Sequence, residues 1–240
     1  MKIVIRLLLV VACFLLLFVS YKSVVGQINF DREAGTRDRA VIQRLVDIRT
    51  AQVALRARTG SFTPDLDVLV DFVRNGNIAS IYSVGHLTEE QLEAGMTVAR
   101  AMEIINANRD NRQALERAGF WDATENRPQL IRDTIFTPAI EVLFANRPDF
   151  IVDDLPFVPF GQGARFEMGV DTLMTASGPL QVFEARTPFT VYLSDLDSRM
   201  VQQRIQERLD RPGDDNAPRR FPGMQVGSLR VVVNNAGNWE

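Results

Sequence analysis

The chain has little of what marks disulfide-bonded or metal-binding domains: its 240 residues include one cysteine, Cys13, and one histidine, His86. A single cysteine excludes an internal disulfide, and any His-based metal site or Ser-His triad would depend on His86 alone. Lysine occurs only at Lys2 and Lys22. No glycine-rich phosphate loop is present, because no helical pattern follows Gly161-Gln162-Gly163. We therefore predict no cofactor and no catalytic residue.

The charge balance is mildly acidic, with a formal net charge of −3. Without the three cations Lys2, Arg6 and Lys22, the remainder carries −6. Nucleic-acid binders usually present a basic face, so we predict no nucleic-acid partner. The dominance of arginine over lysine has two explanations: the base composition of the genome, or arginine-rich recognition of a partner.

The longest apolar run lies at the N-terminus, where Leu7 to Tyr21 is uncharged and flanked by Arg6 and Lys22. Counted from Ile3 to Val25, a helix is long enough for a hydrocarbon core of about 30 Å. We therefore predict a membrane anchor over residues 1–25, in contact with lipid, with the bulk of the chain in the bacterial periplasm as a single-pass inner-membrane protein. The anchor residues are Leu7, Leu8, Leu9, Phe14, Leu15, Leu16, Leu17 and Phe18.

Two other interpretations of this run remain open. It resembles a cleaved secretory signal, with Val24-Val25-Gly26 as a small-residue cleavage site. It also resembles a lipoprotein signal, because Val10-Val11-Ala12-Cys13 looks like a lipid-attachment box. The apolar residues that continue beyond Cys13 disfavour the lipoprotein interpretation, since a mature lipoprotein usually turns polar there.

An amphipathic helix is predicted from about Glu33 to about Arg58, because apolar residues recur on one face. The packing seam of this helix consists of Val41, Leu45, Ile48, Gln52 and Leu55. Packing on the protein's own sheet is favoured over a parallel coiled coil, given Asp38 on the alternate seam position and a length of about three heptads. Gln52 is interpreted as a buried amide with a local hydrogen-bond partner, or as a specificity residue at a helix interface.

The rest of the chain changes from helical to strand patterns. Thr63 and Pro64 are predicted to begin a short helix, and Thr88 a long one reaching about Ala107. Strands are predicted over 78–84, 165–171, 180–185, 189–193 and 224–233, and a short helix over 198–209. Helices concentrated in residues 33–120 and strands in residues 134–240 predict one exported α+β domain over residues 26–240. A split near Gly119–Pro128 is the alternative.

Residues 33–75 resemble the N-terminal region of type IV pilins and type II secretion pseudopilins. The matching residues are Ile48 to Gln52, Thr59 to Phe62, Pro64 and Leu69, with Gly60, Phe62 and Pro64 forming the turn motif. The resemblance implies an N-terminal membrane helix that runs into a long helix packed on an antiparallel sheet. The chain departs from the family in two respects: it has no processing glycine before Leu7, and Thr63 separates Phe62 from Pro64.

The predicted function is therefore structural: a component of a secretion or pilus-like surface apparatus with protein partners in the cell envelope. A membrane-anchored module that binds a ligand or the cell wall is the alternative, and an enzyme with acidic catalytic residues is a third hypothesis. Carboxylates one or two positions apart occur at Asp65/Asp67, Asp153/Asp154, Asp195/Asp197 and Asp214/Asp215. Asp214-Asp215 is the best candidate among them for binding Ca²⁺. The apolar segment Pro156–Phe160 is either an edge that covers the core or a strip that docks a partner.

Overall fold

The computed structural model describes residues 2–210 and 220–240. The helices, in chain order, are α1 (Lys2–Thr59), α2 (Leu66–Asn75), α3 (Glu89–Glu93), α4 (Val98–Ala107), α5 (Arg112–Arg117), α6 (Ala139–Phe144), α7 (Phe189–Tyr192) and α8 (Ser198–Asp210). The strands are β1 (Asn77–Val84), β2 (Trp121–Asp122), β3 (Arg127–Pro128), β4 (Ile131–Pro138), β5 (Glu167–Thr175), β6 (Gly178–Pro188) and β7 (Gly223–Gly227). All strand pairs are antiparallel, so the fold is α+β, as predicted.

Helix α1 runs without a break for 58 residues, so the predicted amphipathic helix is its second half rather than a separate element. The helix ends where predicted. Gly60 adopts a positive φ of 85°, and its N–H donates to the Arg56 carbonyl at 2.7 Å. Glycine adopts this left-handed conformation without a steric penalty, which is why the stop falls there.

The prediction of an N-terminal membrane helix, and with it a single-pass inner-membrane location, is wrong. In the described part of the chain, residues 2–210 and 220–240, no helix combines the length and the apolar character that a bilayer crossing requires. The physical reason is the extent of the uncharged run. Leu7 to Tyr21 spans only about 22 Å as a helix, against about 30 Å of hydrocarbon. The prediction reached the required length only by including Arg6 and Lys22.

The chain forms two compact units. The long-helix unit comprises Met1–Arg74 and Leu143–Glu240, and the ribbon unit comprises Asn75–Val142. In the long-helix unit, β6 is the central strand of the sheet β5-β6-β7, and α1 contacts β6 and β7. The register pairs Glu167 with Arg186 in β5–β6 and Val226 with Ala185 in β6–β7.

The second half of α1 carries the buried stripe of the long-helix unit. The apolar residues of this stripe are Ala34, Val41, Leu45, Ile48, Ala51 and Leu55. Their spacing of three, four and seven residues keeps them on one side of the helix. Phe62 and Phe183 extend this core with ring centroids 4.9 Å apart.

The ribbon unit has a small core of its own. The buried members of this core are Leu87, Ala101, Ile105, Leu115, Phe120 and Leu130. Helix α3 begins with the predicted cap: the Thr88 hydroxyl accepts from the Gln91 N–H, and the Gln91 side chain accepts from the Thr88 N–H. The predicted single helix from Thr88 to Ala107 is in fact two helices, because Gly95 turns the chain with a φ of 74° and Thr97 caps α4.

Two of the predicted strands in the long-helix unit need correction. Phe189 to Leu193 is not a strand: Phe189, Tyr192 and Leu193 are buried, and spacings of three and four residues fit the turn of helix α7. Strand β7 ends at Gly227 rather than at Val233. Gly227 has a φ of 70°, and a Cβ there would lie 2.1 Å from the Phe183 carbonyl oxygen.

Because Ile48 is fully buried in the α1 stripe, replacing it by alanine leaves a cavity. We expect Ile48→Ala to lower the free energy of unfolding by about 2–5 kcal/mol. Val53 lies on the exposed side of the same helix, so Val53→Ala should change it by less than about 0.5 kcal/mol. Urea unfolding followed by circular dichroism measures both. Equal effects of the two substitutions would contradict this assignment of the buried face.

Candidate interaction surface

Strands β1 and β4 form a two-stranded antiparallel ribbon within the ribbon unit. The register runs without a bulge from Asn77 opposite Pro138 to Val84 opposite Ile131. None of the ribbon side chains that the structure describes is buried. An isolated two-stranded ribbon is at best marginally stable in water, so its exposed surface calls for a functional explanation.

One face of the ribbon carries five apolar side chains, alongside Ser80, Asp133 and Thr137. Residues opposite each other in an antiparallel pair project to the same side, and alternate residues share a face. The apolar residues that share this face, hereafter the ribbon face, are Ile78, Tyr82, Val84, Ile131 and Ile135. Tyr82 is 49% exposed and Ile135 is 44% exposed. On the opposite face, Phe136 is 67% exposed.

The base of the ribbon is fixed by a close approach of the backbone. Gly85 follows β1 with a φ of 78°, and a Cβ at this position would lie 1.8 Å from the Gln129 carbonyl oxygen. The Gln129 amide donates to the His86 carbonyl at 3.1 Å and exchanges hydrogen bonds with the Gln91 side chain. Hydrogen bonds hold both ends of the ribbon, because at its other end the Ala139 N–H donates to the Gly76 carbonyl at 2.8 Å.

The β1 edge of the ribbon lacks the features that block pairing with another strand. Strand β1 contains neither a charged residue nor a proline, and its register has no bulge. Strand β4 contains Arg132, Asp133 and Pro138. Natural sheets protect their edges with charges, prolines and bulges, so β4 is protected and β1 is not.

The three-stranded sheet shows how this chain protects edges elsewhere. Strand β5 carries Glu167 and Asp171, and Glu167 pairs with Arg186 at 2.9 Å. Strand β7 is followed along its edge by the C-terminal segment. There the Asn238 N–H donates to the Gln225 carbonyl at 2.9 Å, and the Gly227 N–H to the Ala236 carbonyl at 3.0 Å. The exposed, neutral β1 edge is therefore exceptional among these edges.

The predicted anchor residues all lie within α1. Leu7, Leu8, Leu9 and Leu17 belong to the helix by their backbone. The other four are exposed apolar side chains: Phe14, Leu15, Leu16 and Phe18.

The predicted seam residues Val41, Leu45, Ile48, Gln52 and Leu55 are all buried along α1. The structure places them in the core of the long-helix unit.

Gln52 is fully buried and forms hydrogen bonds with the turn after α1. Its Nε2 donates to the Thr63 carbonyl at 2.6 Å, and its Oε1 accepts from the Thr63 N–H at 3.2 Å. Phe62, in the predicted turn motif with Gly60 and Pro64, is buried beside it. Helix α2 begins after Asp65, whose carboxylate accepts from the Asp67 N–H at 2.8 Å, so Asp65 rather than Thr63 caps it.

Three charged residues lie on the buried face of α1, and side chains from distant elements pair with them. Arg37 binds Asp195 with both terminal nitrogens, the Nη2–Oδ2 distance being 2.8 Å, and donates to the Tyr192 carbonyl at 2.9 Å. The hydrogen bond with Asp195 raises the pKa of Arg37, although burial opposes this shift. The same bond lowers the pKa of Asp195 from 3.8 to about 2.

The other two buried charges are carboxylates. Asp38 accepts from the Tyr192 hydroxyl at 2.8 Å and also pairs with Arg204. Burial, followed by the nearby Asp38 charge, raises the pKa of Tyr192. Asp47 accepts from Arg147 Nη1 at 2.9 Å. Each buried charge on α1 therefore attaches another segment of the long-helix unit to the helix.

The carboxylate pairs singled out in the sequence serve as caps and ion-pair partners. Asp67 pairs with Arg165 at 2.6 Å, and Asp197 accepts the Arg199 N–H at the start of α8 at 2.9 Å. Asp214 and Asp215 lie outside the described residues. Within residues 2–210 and 220–240, no three His, Cys, Asp or Glu side chains are grouped so that they could hold a metal ion.

Sequence reasoning identified one strand of the ribbon and missed the other. The apolar piece Ile78 to Val84 was predicted as a strand, and β1 confirms it. Strand β4 was missed because Arg132 and Asp133 interrupt its apolar pattern. The available signal was Thr134 to Thr137, a run of β-branched and aromatic residues that ends at Pro138.

Comparison with known proteins finds no family model, curated protein or solved structure that matches this chain.

The two hydrogen bonds between Gln52 and Thr63 predict that replacing Gln52 lowers the stability of the fold. Gln52→Leu leaves the Thr63 N–H and carbonyl without their partner, so we expect the free energy of unfolding to fall by about 1–3 kcal/mol. Gln202→Leu, at an exposed position on α8, is the matched control and should leave it nearly unchanged. Chemical denaturation of both variants measures the difference. A Gln52→Leu variant as stable as the wild type would show that the Gln52–Thr63 hydrogen bonds do not contribute to the free energy of unfolding.

The Arg37–Asp195 pair predicts a dependence of stability on pH. The folded-state pKa of Asp195, about 2, lies below its ordinary value of 3.8, so the unfolded chain binds more protons between these values. The pair therefore stabilises the fold fully above about pH 4, and this contribution is lost as the pH falls towards 2. Asp195→Asn should flatten the curve of melting temperature against pH in that window. Asp110→Asn, at an exposed carboxylate, should give a curve parallel to that of the wild type, and an equally parallel curve for Asp195→Asn would contradict the pairing.

Proposed function

We propose that the chain is a structural or assembly protein that binds another protein chain through the β1–β4 ribbon. The observation that carries this proposal is the exposed ribbon face, together with an unprotected β1 edge. Exposed apolar surface on an ordered element is typical of protein interaction sites. Exposed sheet edges bind extended segments through main-chain hydrogen bonds.

We propose binding rather than catalysis because the buried carboxylates already have partners. Asp38, Asp47 and Glu184 accept hydrogen bonds from arginine, tyrosine or glutamine side chains. A catalytic acid or base needs a free position that faces a substrate in a cleft. These three carboxylates instead hold elements of the long-helix unit together.

The resemblance of residues 33–75 to pilins and pseudopilins stays a prediction, because none of the comparisons matches the chain. A place in a secretion or pilus-like apparatus is therefore proposed on that resemblance alone. The ribbon supports the broader proposal of an assembly role, since its surface suits contact with another chain.

A second candidate function is ligand binding. An open groove of about 740 Å³ lies between α1 and residues 196–200 in the long-helix unit, with Asn29, Arg32 and Asp197 as polar lining and Phe30 and Met200 as apolar lining. This volume falls in the range of small-molecule sites. A defined small ligand for the full chain, without any protein bound at the ribbon, would favour this alternative.

Photo-crosslinking in cells tests the proposed function. A photoreactive amino acid at Tyr82 or Ile135 should give one adduct of defined mass whose second component is a protein, identified by mass spectrometry. Met174 is the control position, because it is 81% exposed but lies on the β5–β6 hairpin of the long-helix unit. It should not give this adduct. Absence of any protein adduct at both ribbon positions, or the same adduct from Met174, would contradict the proposal.

A further inference from the structure

Strand β1 carries no charged residue, and this absence bears on the kind of partner that its edge can bind. Charged residues make up 24% of the chain, so about two would be expected among eight residues, but β1 has none. Ala79, Ser80 and Ser83 are small and neutral, although their exposed positions leave room for a charged side chain. A heterologous partner would permit charges on this edge and could use them for complementarity. In a symmetric pair of identical strands, by contrast, a charge near the two-fold axis would face a like charge on the second copy.

We infer that the free edge of β1 pairs antiparallel with the β1 edge of a second copy of this chain. The inference rests on the proposed function and names the partner at the same ribbon. In a two-fold symmetric pair, each side chain near the axis lies close to its own copy, so any charge there would oppose a charge of the same sign. The complete neutrality of β1 removes this repulsion. The net charge of the whole chain matters less, because salt screens it beyond about 8 Å.

The side chains of β1 also suit self-pairing. A two-fold axis perpendicular to the sheet keeps each face of the ribbon on the same side in both copies. With the axis through Ile81, Ile78 of one copy lies opposite Val84 of the second, and Ser80 lies opposite Tyr82. The pairing would turn two ribbons into one four-stranded sheet in which the apolar residues of the ribbon face of both copies lie on the same side. Three or more strands with an apolar face are more stable than two, which gives the association a driving force.

The strength of association follows from the size of the edge. Eight residues span about 26 Å, and such an edge buries less than the roughly 800 Å² per partner of a standard interface. We therefore expect a reversible dimer that forms with increasing protein concentration. Sedimentation velocity of the full-length protein across a concentration series measures this equilibrium.

Charge substitutions at Ser80 test the pairing directly. The two Ser80 positions lie within about 8 Å in a pair centred on Ser80 or Ile81. Ser80→Lys alone and Ser80→Glu alone should each weaken the dimer by at least about tenfold, because like charges meet across the axis. An equimolar mixture of the two variants should form a heterodimer with an affinity near that of the wild type.

Thr134 supplies the matched control on the other strand of the ribbon. It is exposed and lies opposite Ile81 on β4, away from the β1 edge. Thr134→Lys should dimerise like the wild type. Circular dichroism of every variant checks that the fold is retained.

Three results would overturn the inference: a wild type that stays monomeric up to about 0.5 mM, a dimer unaffected by charge at Ser80, or Lys and Glu variants that fail to combine. A monomeric wild type whose ribbon crosslinks to a different protein would overturn self-pairing and leave the proposed function intact. Absence of any protein adduct at the ribbon contradicts the proposed function itself.

Discussion

The long-helix unit depends on one constraint: the buried face of α1 carries polar groups that must find partners. Arg37, Asp38, Asp47 and Gln52 lie on the same side of the helix as its apolar residues, and all are at least 92% buried. A buried charge or amide without a partner costs more free energy than most single contacts supply. The rest of the unit can therefore pack on α1 only where it provides these partners.

The partners come from several segments, which explains how the unit is ordered around the helix. Tyr192 and Asp195 bring the region after β6 against Arg37 and Asp38. Arg147 brings residues near the end of α6 against Asp47, and Thr63 brings the turn after α1 against Gln52. The apolar stripe supplies the general driving force, and the polar pairs define the positions.

In the ribbon, by contrast, some main-chain groups have no hydrogen-bond partner in another strand. Its main-chain groups are paired on one side of each strand, and the β1 edge has no second strand beside it within the described residues. In the long-helix unit, the buried charges of α1 and Gln52 are paired within the unit, whereas the ribbon presents unmatched main-chain groups at an uncharged edge. An uncharged free edge of this kind suits the proposed binding of another chain.

How much could be predicted from the sequence depended on how local the determining interactions are. The seam of α1, its stop at Gly60 and the Thr88 cap follow from spacing and from single residues, and these features lie where predicted. Helix α7 was not predicted because its short pattern also fits a strand, and strand β4 was not predicted because Arg132 and Asp133 interrupt its apolar pattern. The partners of Arg37 and Asp47 lie about 100 residues or more away, and no local pattern in the sequence marks them.

Hydrogen–deuterium exchange of the full-length protein at low and high concentration tests this contrast between α1 and the ribbon most directly. Amides in residues 41–55 of α1 and in β6 should exchange slowly at both concentrations, because they open only on global unfolding. The β1 amides that do not donate to β4 should exchange faster in dilute solution and become protected as the concentration rises, and this change should exceed any change in the amides of β4. Equal exchange in α1 and the ribbon, or β1 protection that ignores concentration, would contradict this account.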